Sequence, residues 1–151
     1  MKVTDILTMK GPVVITIRPS QTIGTLSEQL REKRIGAAVV SNDGHTIDGV
    51  ISERDIAYGL AVHKADLHTL PVSALMTTVV VTCSPHDSVA NVASTMLTRN
   101  VRHLPVVDDG RLAGMISIRD VLRLRLEDLQ RQNSELRAFV SHADSVPAQD
   151  R

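Results

Sequence analysis

Two stretches of the 151-residue chain place a glycine, a hydroxyl, an arginine and a carboxylate at identical spacing: GVISERDI at 49–56 and GMISIRDV at 114–121. Ser52 precedes Asp55 as Ser117 precedes Asp120. A serine followed one helical turn later by an acid, at a helix start, is close to a capping box, in which hydroxyl and carboxylate each satisfy a backbone N–H. The same geometry suits a ligand. A helix N-terminus offers free N–H donors and the positive end of a dipole to a phosphate. The serine adds a donor, and an ionised aspartate, an acceptor only, suits a pair of ribose hydroxyls. Capping and ligation are compatible. Arg54 and Arg119, inside the motif, either reach a phosphate or lie at the surface or an interface.

The elements that position these groups repeat with them. VTDILT (3–8) resembles VSALMT (72–77), and a β-branched run leads to Pro19 in one copy and Pro85 in the other. VVITI and VVVTC read as short strands. Thr22 and Ser88 are placed to cap helices whose apolar positions (Ile23, Leu26, Leu30; Val89, Val92, Met96) fall on one face. AAVVS and LPVVD read as buried strands, each followed by an Asp-Gly turn at Asp43-Gly44 or Asp109-Gly110 and a returning strand. The order is β-α-β-β-α, twice. One such unit is too small to bury much surface alone. Two packed sheet to sheet give a pseudo-twofold axis and two clefts between them.

Composition narrows the function. Seventeen basic residues balance seventeen acidic ones, against the basic footprint a nucleic-acid binder needs. Cys83 is alone, so no intrachain disulfide can form and a reducing interior fits; small hydrophobic filler is its expected role. No apolar run is long enough for a signal peptide or a membrane span, which predicts a cytoplasmic protein. His63 and His68 stand five apart with no Cys or carboxylate cluster beside them, so no metal site is expected. No nucleophile elbow or acid–base pair is present, and catalysis is not expected.

The doubled unit, the G-x-I-S-x-R-D signature and the block NVRHLPVVDDGRLAGMISIRDVL resemble a tandem pair of cystathionine-β-synthase (CBS) domains, over residues 2 to 125. The resemblance implies an α/β (α+β) fold of two pseudo-symmetric β-α-β-β-α repeats, and regulatory binding of an adenosine nucleotide (AMP, ADP, ATP or NAD) in the clefts. It assigns Asp55 and Asp120 to the ribose hydroxyls, Ser52 and Ser117 to the ribose and phosphate, and Arg102 and His103 to phosphate. Ile35, Ala37 and Val101 then form the adenine slot. The first-copy counterparts of Arg102 and His103 are Gly36 and Ala37, which carry no charge, so the clefts are expected to differ. A ligand whose far end is less anionic, or simply weaker binding, is expected where Gly36 and Ala37 contribute. Either repeat could supply either wall. The resemblance also implies a homodimer; the alternative is a ligand-independent dimerisation module, and an effector protein is a further candidate partner.

The repeats divide as 2–61 and 71–125, joined by a connecting segment at 62–70. Beyond them a helix is predicted to run without Gly or Pro to residue 142, followed by a flexible tail at 143–151. Leu122, Leu126, Leu129, Asn133, Leu136 and Val140 fall on a heptad seam, with Asn133 where a polar residue fixes register. The seam either pairs with a second copy or docks on its own module.

Overall fold

The computed structural model describes residues 1–11 and 14–145. The first unit holds β1 (Thr16–Ile17), α2 (Ile23–Lys33), β2 (Ala37–Val40), β3 (Gly49–Ser52) and α3 (Glu53–His63), preceded by α1 (Val3–Lys10). The second holds α4 (Val89–Arg99), β4 (His103–Asp108), β5 (Arg111–Ser117) and α5 (Ile118–Asp144). β1 runs parallel to β2 and β2 antiparallel to β3; β4 and β5 form an antiparallel pair. The architecture is the expected mixed α/β pair of repeats with a long C-terminal helix.

Local chemistry explains the helices. The Thr22 hydroxyl accepts from Thr25 N–H and the Ser88 hydroxyl from Asn91 N–H, so each cap satisfies a first-turn donor. Both helices end on a left-handed residue, Arg34 or Asn100. Their apolar stripes are buried at every position read from the spacing.

The strand expected at 79–83 does not form a strand. Only Cys83 pairs, with Val106, through Cys83 N–H to the Pro105 carbonyl (3.0 Å) and Val107 N–H to the Cys83 carbonyl (2.8 Å). The reason is Pro105. In the first unit the matching residue, Val39, donates its N–H to the Ile15 carbonyl and extends the ladder; proline has no N–H to give. In the first copy the paired strand is Thr16–Ile17, while Val13 of the predicted run lies outside the described residues.

The two hairpins differ as well. Asp109 and Gly110 both have positive φ, so β4 and β5 join through the two-residue turn that such a pair favours. The first hairpin opens into a loop at 41–48, organised by Asp43. Its carboxylate accepts from the N–H groups of Thr46 and His45 and from the Thr46 and Ser41 hydroxyls, which hold it well below the usual carboxylate range.

The buried side chains form two clusters, and each draws on the other copy's leading segment. Val3 and Ile6 of α1 lie in the second unit's core with Val89, Met96, Leu104 and Ile116. Val72, from the segment leading the second copy, lies in the first unit's core with Ile17, Leu26 and Ile51. The backbone repeats this exchange. Val3 and Thr4 donate to the carbonyls of Asp87 and Pro85, and Val72 and Ser73 donate to those of Gln21 and Pro19. Sequence repeat and packed unit are therefore different sets of residues.

The glycine that opens each motif serves this exchange. A Cβ on Gly49 would stand 2.8 Å from the Thr77 carbonyl oxygen and 2.9 Å from the Met76 sulfur. One on Gly114 would stand 2.6 Å from the tip of Leu7. Met76 and Leu7 occupy matching places in the two leading segments.

Residues 64–69 of the predicted connecting segment form a 3-10 helix whose Leu67 enters the first core. α5 continues through Asp144, so residues 143 and 144 of the predicted tail are helical; 146–151 lie outside the described residues. Val121 and Leu124 anchor its first turns in the second core. Leu122, Leu126, Leu129, Leu136 and Val140 remain more than half exposed, so the heptad face does not dock on its own module.

Candidate nucleotide clefts

Both Ser-x-x-Asp pairs form complete capping boxes. Ser52 N–H donates to Asp55 Oδ2 at 2.8 Å and Asp55 N–H to the Ser52 hydroxyl at 3.4 Å. Ser117 and Asp120 repeat this at 2.8 and 3.2 Å. In both aspartates the carboxylate oxygen that accepts the serine N–H is Oδ2. Among the described residues Oδ1 of each has no protein partner, so capping leaves an acceptor free.

Two clefts lie between the units, one beside each box. The Asp55 cleft, of about 210 Å³, is lined by Ser52, Asp55, Val101, Arg102 and His103, with Val79–Val81 as an apolar wall. The Asp120 cleft, of about 770 Å³, is lined by Ser117 and Asp120 opposite Ile35, Gly36 and Ala37, with Val14 and Ile15 as the matching wall. The question of walls thus has a direct answer: each aspartate faces the residues that lead into the other repeat's central strand. Arg102 and His103 border both clefts rather than one. Of the motif arginines, Arg54 reaches the Asn100 carbonyl across the interface at 3.3 Å, and exposed Arg119 lines the Asp120 cleft.

The electrostatics of the two clefts differ. The Asp120 cleft gathers Lys10, Arg31, Lys33, Arg34, Arg102 and Arg119 against Glu53 and Asp120. The Asp55 cleft balances Arg54 and Arg102 with Glu53 and Asp55. In the cleft that Gly36 and Ala37 border, charge is supplied by α1, by the end of α2 and by its left-handed cap, none of which belongs to the compared pair of positions.

Lys10 also breaks the symmetry at the aspartates. Its ammonium lies 2.9 Å from Asp120 Oδ2 and 2.8 Å from the Met115 carbonyl. Asp120 is only 9% exposed; burial raises its carboxyl, but hydrogen bonds from Lys10 and Ser117 outweigh this and hold it below the ordinary value. His103 is pushed below its ordinary 6.5 chiefly by burial, assisted by Lys10 and Arg102 and opposed by Glu53 and Asp120.

The apolar walls at 79–81 and 14–15 and the cations Lys10, Arg31, Lys33 and Arg34 were not read as site residues. One signal for Lys10 was present: the first copy has three more residues than the second between the leading segment and the turn proline, and Lys10 is among them. Among the described residues no three potential metal ligands cluster, and no helix is long and apolar enough to cross a membrane.

Two pseudo-symmetric α/β units, exchanging their leading segments and enclosing a cleft on each side, define a paired-repeat module. The chain belongs to the CBS-domain family: residues 3–61 and 72–127 each match the CBS domain. The fold is similar to that of a CBS-domain-containing protein of Agrobacterium tumefaciens, 37% identical with a TM-score of 0.80, over 83% of this chain and 99% of that one. It is also similar to the CBS-domain pair of protein MJ0100, solved in complex with 5′-methylthioadenosine and S-adenosyl-L-methionine (28% identity, TM-score 0.75, 85% and 98% of the two chains). A third is a CBS-domain protein of Pyrobaculum aerophilum complexed with AMP (31%, TM-score 0.70, 80% and 89%).

Proposed function

We propose that this chain is a cytoplasmic regulatory protein that binds adenosine-containing ligands in its two inter-repeat clefts and acts through the resulting change in how the repeats sit together. The observation that carries this reading is the doubled cleft, in which a helix-capping aspartate with a free Oδ1 faces an apolar wall donated by the other repeat. Asp55 and Asp120 take ribose hydroxyls, Ser52 and Ser117 the sugar and nearest phosphate, and Arg102 and His103 phosphate. Ile35, Gly36, Ala37 and Val101 border the base. Relatives solved with AMP, or with methylthioadenosine and S-adenosylmethionine, support the ligand class. The reading is of binding without catalysis, in a homodimer.

The test is thermal unfolding with AMP, ADP, ATP, NAD, S-adenosylmethionine and 5′-methylthioadenosine. A ligand at one hundred times its Kd stabilises the native state by about 2.7 kcal/mol. Asp120→Ala is expected to cost about 1.5–3 kcal/mol of binding, the value of a hydrogen bond to a charged group. One observation favours a second reading, a ligand-independent assembly module: the unpartnered apolar face of α5. That reading gains if no ligand moves the melting temperature while the protein still self-associates.

A further inference from the structure

The two clefts offer their aspartates on different terms. At Asp55, Oδ2 accepts from the N–H and the hydroxyl of Ser52, and a hydroxyl can rotate away from its acceptor. At Asp120, Oδ2 accepts from Ser117 N–H and from the Lys10 ammonium. A carboxylate oxygen has two lone pairs, so that oxygen is filled. A ribose diol that claims both oxygens of Asp120 must dislodge Lys10.

The cost of dislodging it depends on where the ammonium goes. The Asp120 cleft holds six cationic side chains against two carboxylates, an excess of four positive charges. A neutral nucleoside would break the Lys10–Asp120 ion pair and leave Lys10 among five other cations. A nucleotide carries a replacement partner with it, because its phosphates can take Lys10 as well as Arg102 and the arginines of the cleft. Charge-assisted bonds of that kind are the strong ones. In the Asp55 cleft, where the charges balance, no such condition is imposed.

Resting on the adenosine-binding reading of the clefts, we infer that the Asp120 cleft is selective for phosphorylated adenosine nucleotides over uncharged nucleosides. Lys10 is its specificity-determining residue: it holds Asp120 against uncharged nucleosides and passes to the phosphates when a nucleotide enters.

The experiment isolates this cleft with Asp55→Ala and measures adenosine and ATP by calorimetry, with and without Lys10→Met and Lys10→Arg. The Asp55→Ala protein should bind ATP at least about tenfold more tightly than adenosine, a difference of about 1.4 kcal/mol. Lys10→Met should tighten adenosine and weaken ATP, and Lys10→Arg should restore the preference. Opposite movement of the two ligands is the signature, because a merely damaged cleft weakens both. Adenosine binding as tightly as ATP in Asp55→Ala overturns the selectivity; parallel changes, or none, in Lys10→Met overturn the role of Lys10. Neither result touches the broader reading, which fails separately if wild-type protein binds neither ligand or if Asp55→Ala/Asp120→Ala binds both undiminished.

Discussion

Gly49→Ala is the sharpest probe of the exchanged segments. The new methyl would meet the Thr77 carbonyl oxygen at 2.8 Å and the Met76 side chain at 2.9 and 3.1 Å. Thr77 cannot retreat freely, since its backbone is tied to Val50 by two hydrogen bonds of 3.0 and 2.9 Å. Forcing a methyl group into such a place costs about 1–3 kcal/mol, offset by about 0.4–1 kcal/mol from the stiffer unfolded chain. From the middle of each range, the net loss is about 1.3 kcal/mol. Gly114→Ala is the control. It meets only the tip of Leu7 at 2.6 Å, with the next atoms at 3.7 Å. A side chain pushed about 30° off its rotamer costs about 0.5–1.5 kcal/mol, so the same offset leaves it near neutral. Urea unfolding followed by far-ultraviolet circular dichroism measures both, with the slope checked so that a midpoint change reads as stability. If the two variants lose equally, or Gly49→Ala loses less than about 0.5 kcal/mol, the glycines are not there for the exchanged segments and the packing argument fails.

Three further outcomes are expected. The folded-state pKa of His103 is depressed, so as pH falls below 6.5 the unfolded chain takes up its proton first; stability is present above that value and lost below it, and His103→Gln should flatten denaturant midpoints between about pH 7 and 5. Cys83 is buried, and burial, aided by Asp87, pushes its thiol up to about 12, so alkylation at about pH 8 should proceed only as fast as the chain opens; rapid labelling of the native protein would contradict this. If the α5 face pairs with a second copy, truncation after Leu126 should weaken the dimer in sedimentation, and Asn133→Leu should strengthen helix pairing while admitting other oligomers; identical dissociation constants for all three proteins would refute the pairing.

The repeat made much of this fold legible in the sequence. Caps at Thr22, Ser88, Ser52 and Ser117, the buried stripes of α2 and α4, and the Asp109-Gly110 turn all arise from local spacing, and the structure bears them out. What stayed hidden is non-local. VVVTC has the composition of a strand, but pairing depends on what the neighbour can donate, and Pro105 lies more than twenty residues away. The exchange of leading segments leaves no mark on periodicity, because VTDILT and VSALMT carry the same apolar positions whichever unit receives them. The charge of the clefts was not legible for a related reason. Comparing Gly36 and Ala37 with Arg102 and His103 treats each position as belonging to one site, whereas the cleft is assembled from α1, α2 and both sheets.

The doubled glycine-serine-aspartate motif therefore meets two demands at one place in each copy, with the glycine admitting the other copy's leading segment and the serine and aspartate closing a helix start, and on the proposed reading it meets a third, the aspartate's Oδ1 taking a ligand. Because capping is complete within the chain itself, ligand binding on the proposed reading does not need to build these helix starts. What a ligand can change is the distance between the repeats, since every cleft takes its two walls from different units. A ligand that fits one spacing better shifts the population by its differential affinity and no more. Arg102, His103 and Glu53 border both clefts, so a phosphate that draws Arg102 to one side takes it from the other. On the proposed reading the two sites are coupled through these shared residues, and by linkage the coupling acts equally in both directions. On the same reading, a pair of repeats with unequal clefts and shared residues compares two ligands, which a single unit with one aspartate could not do.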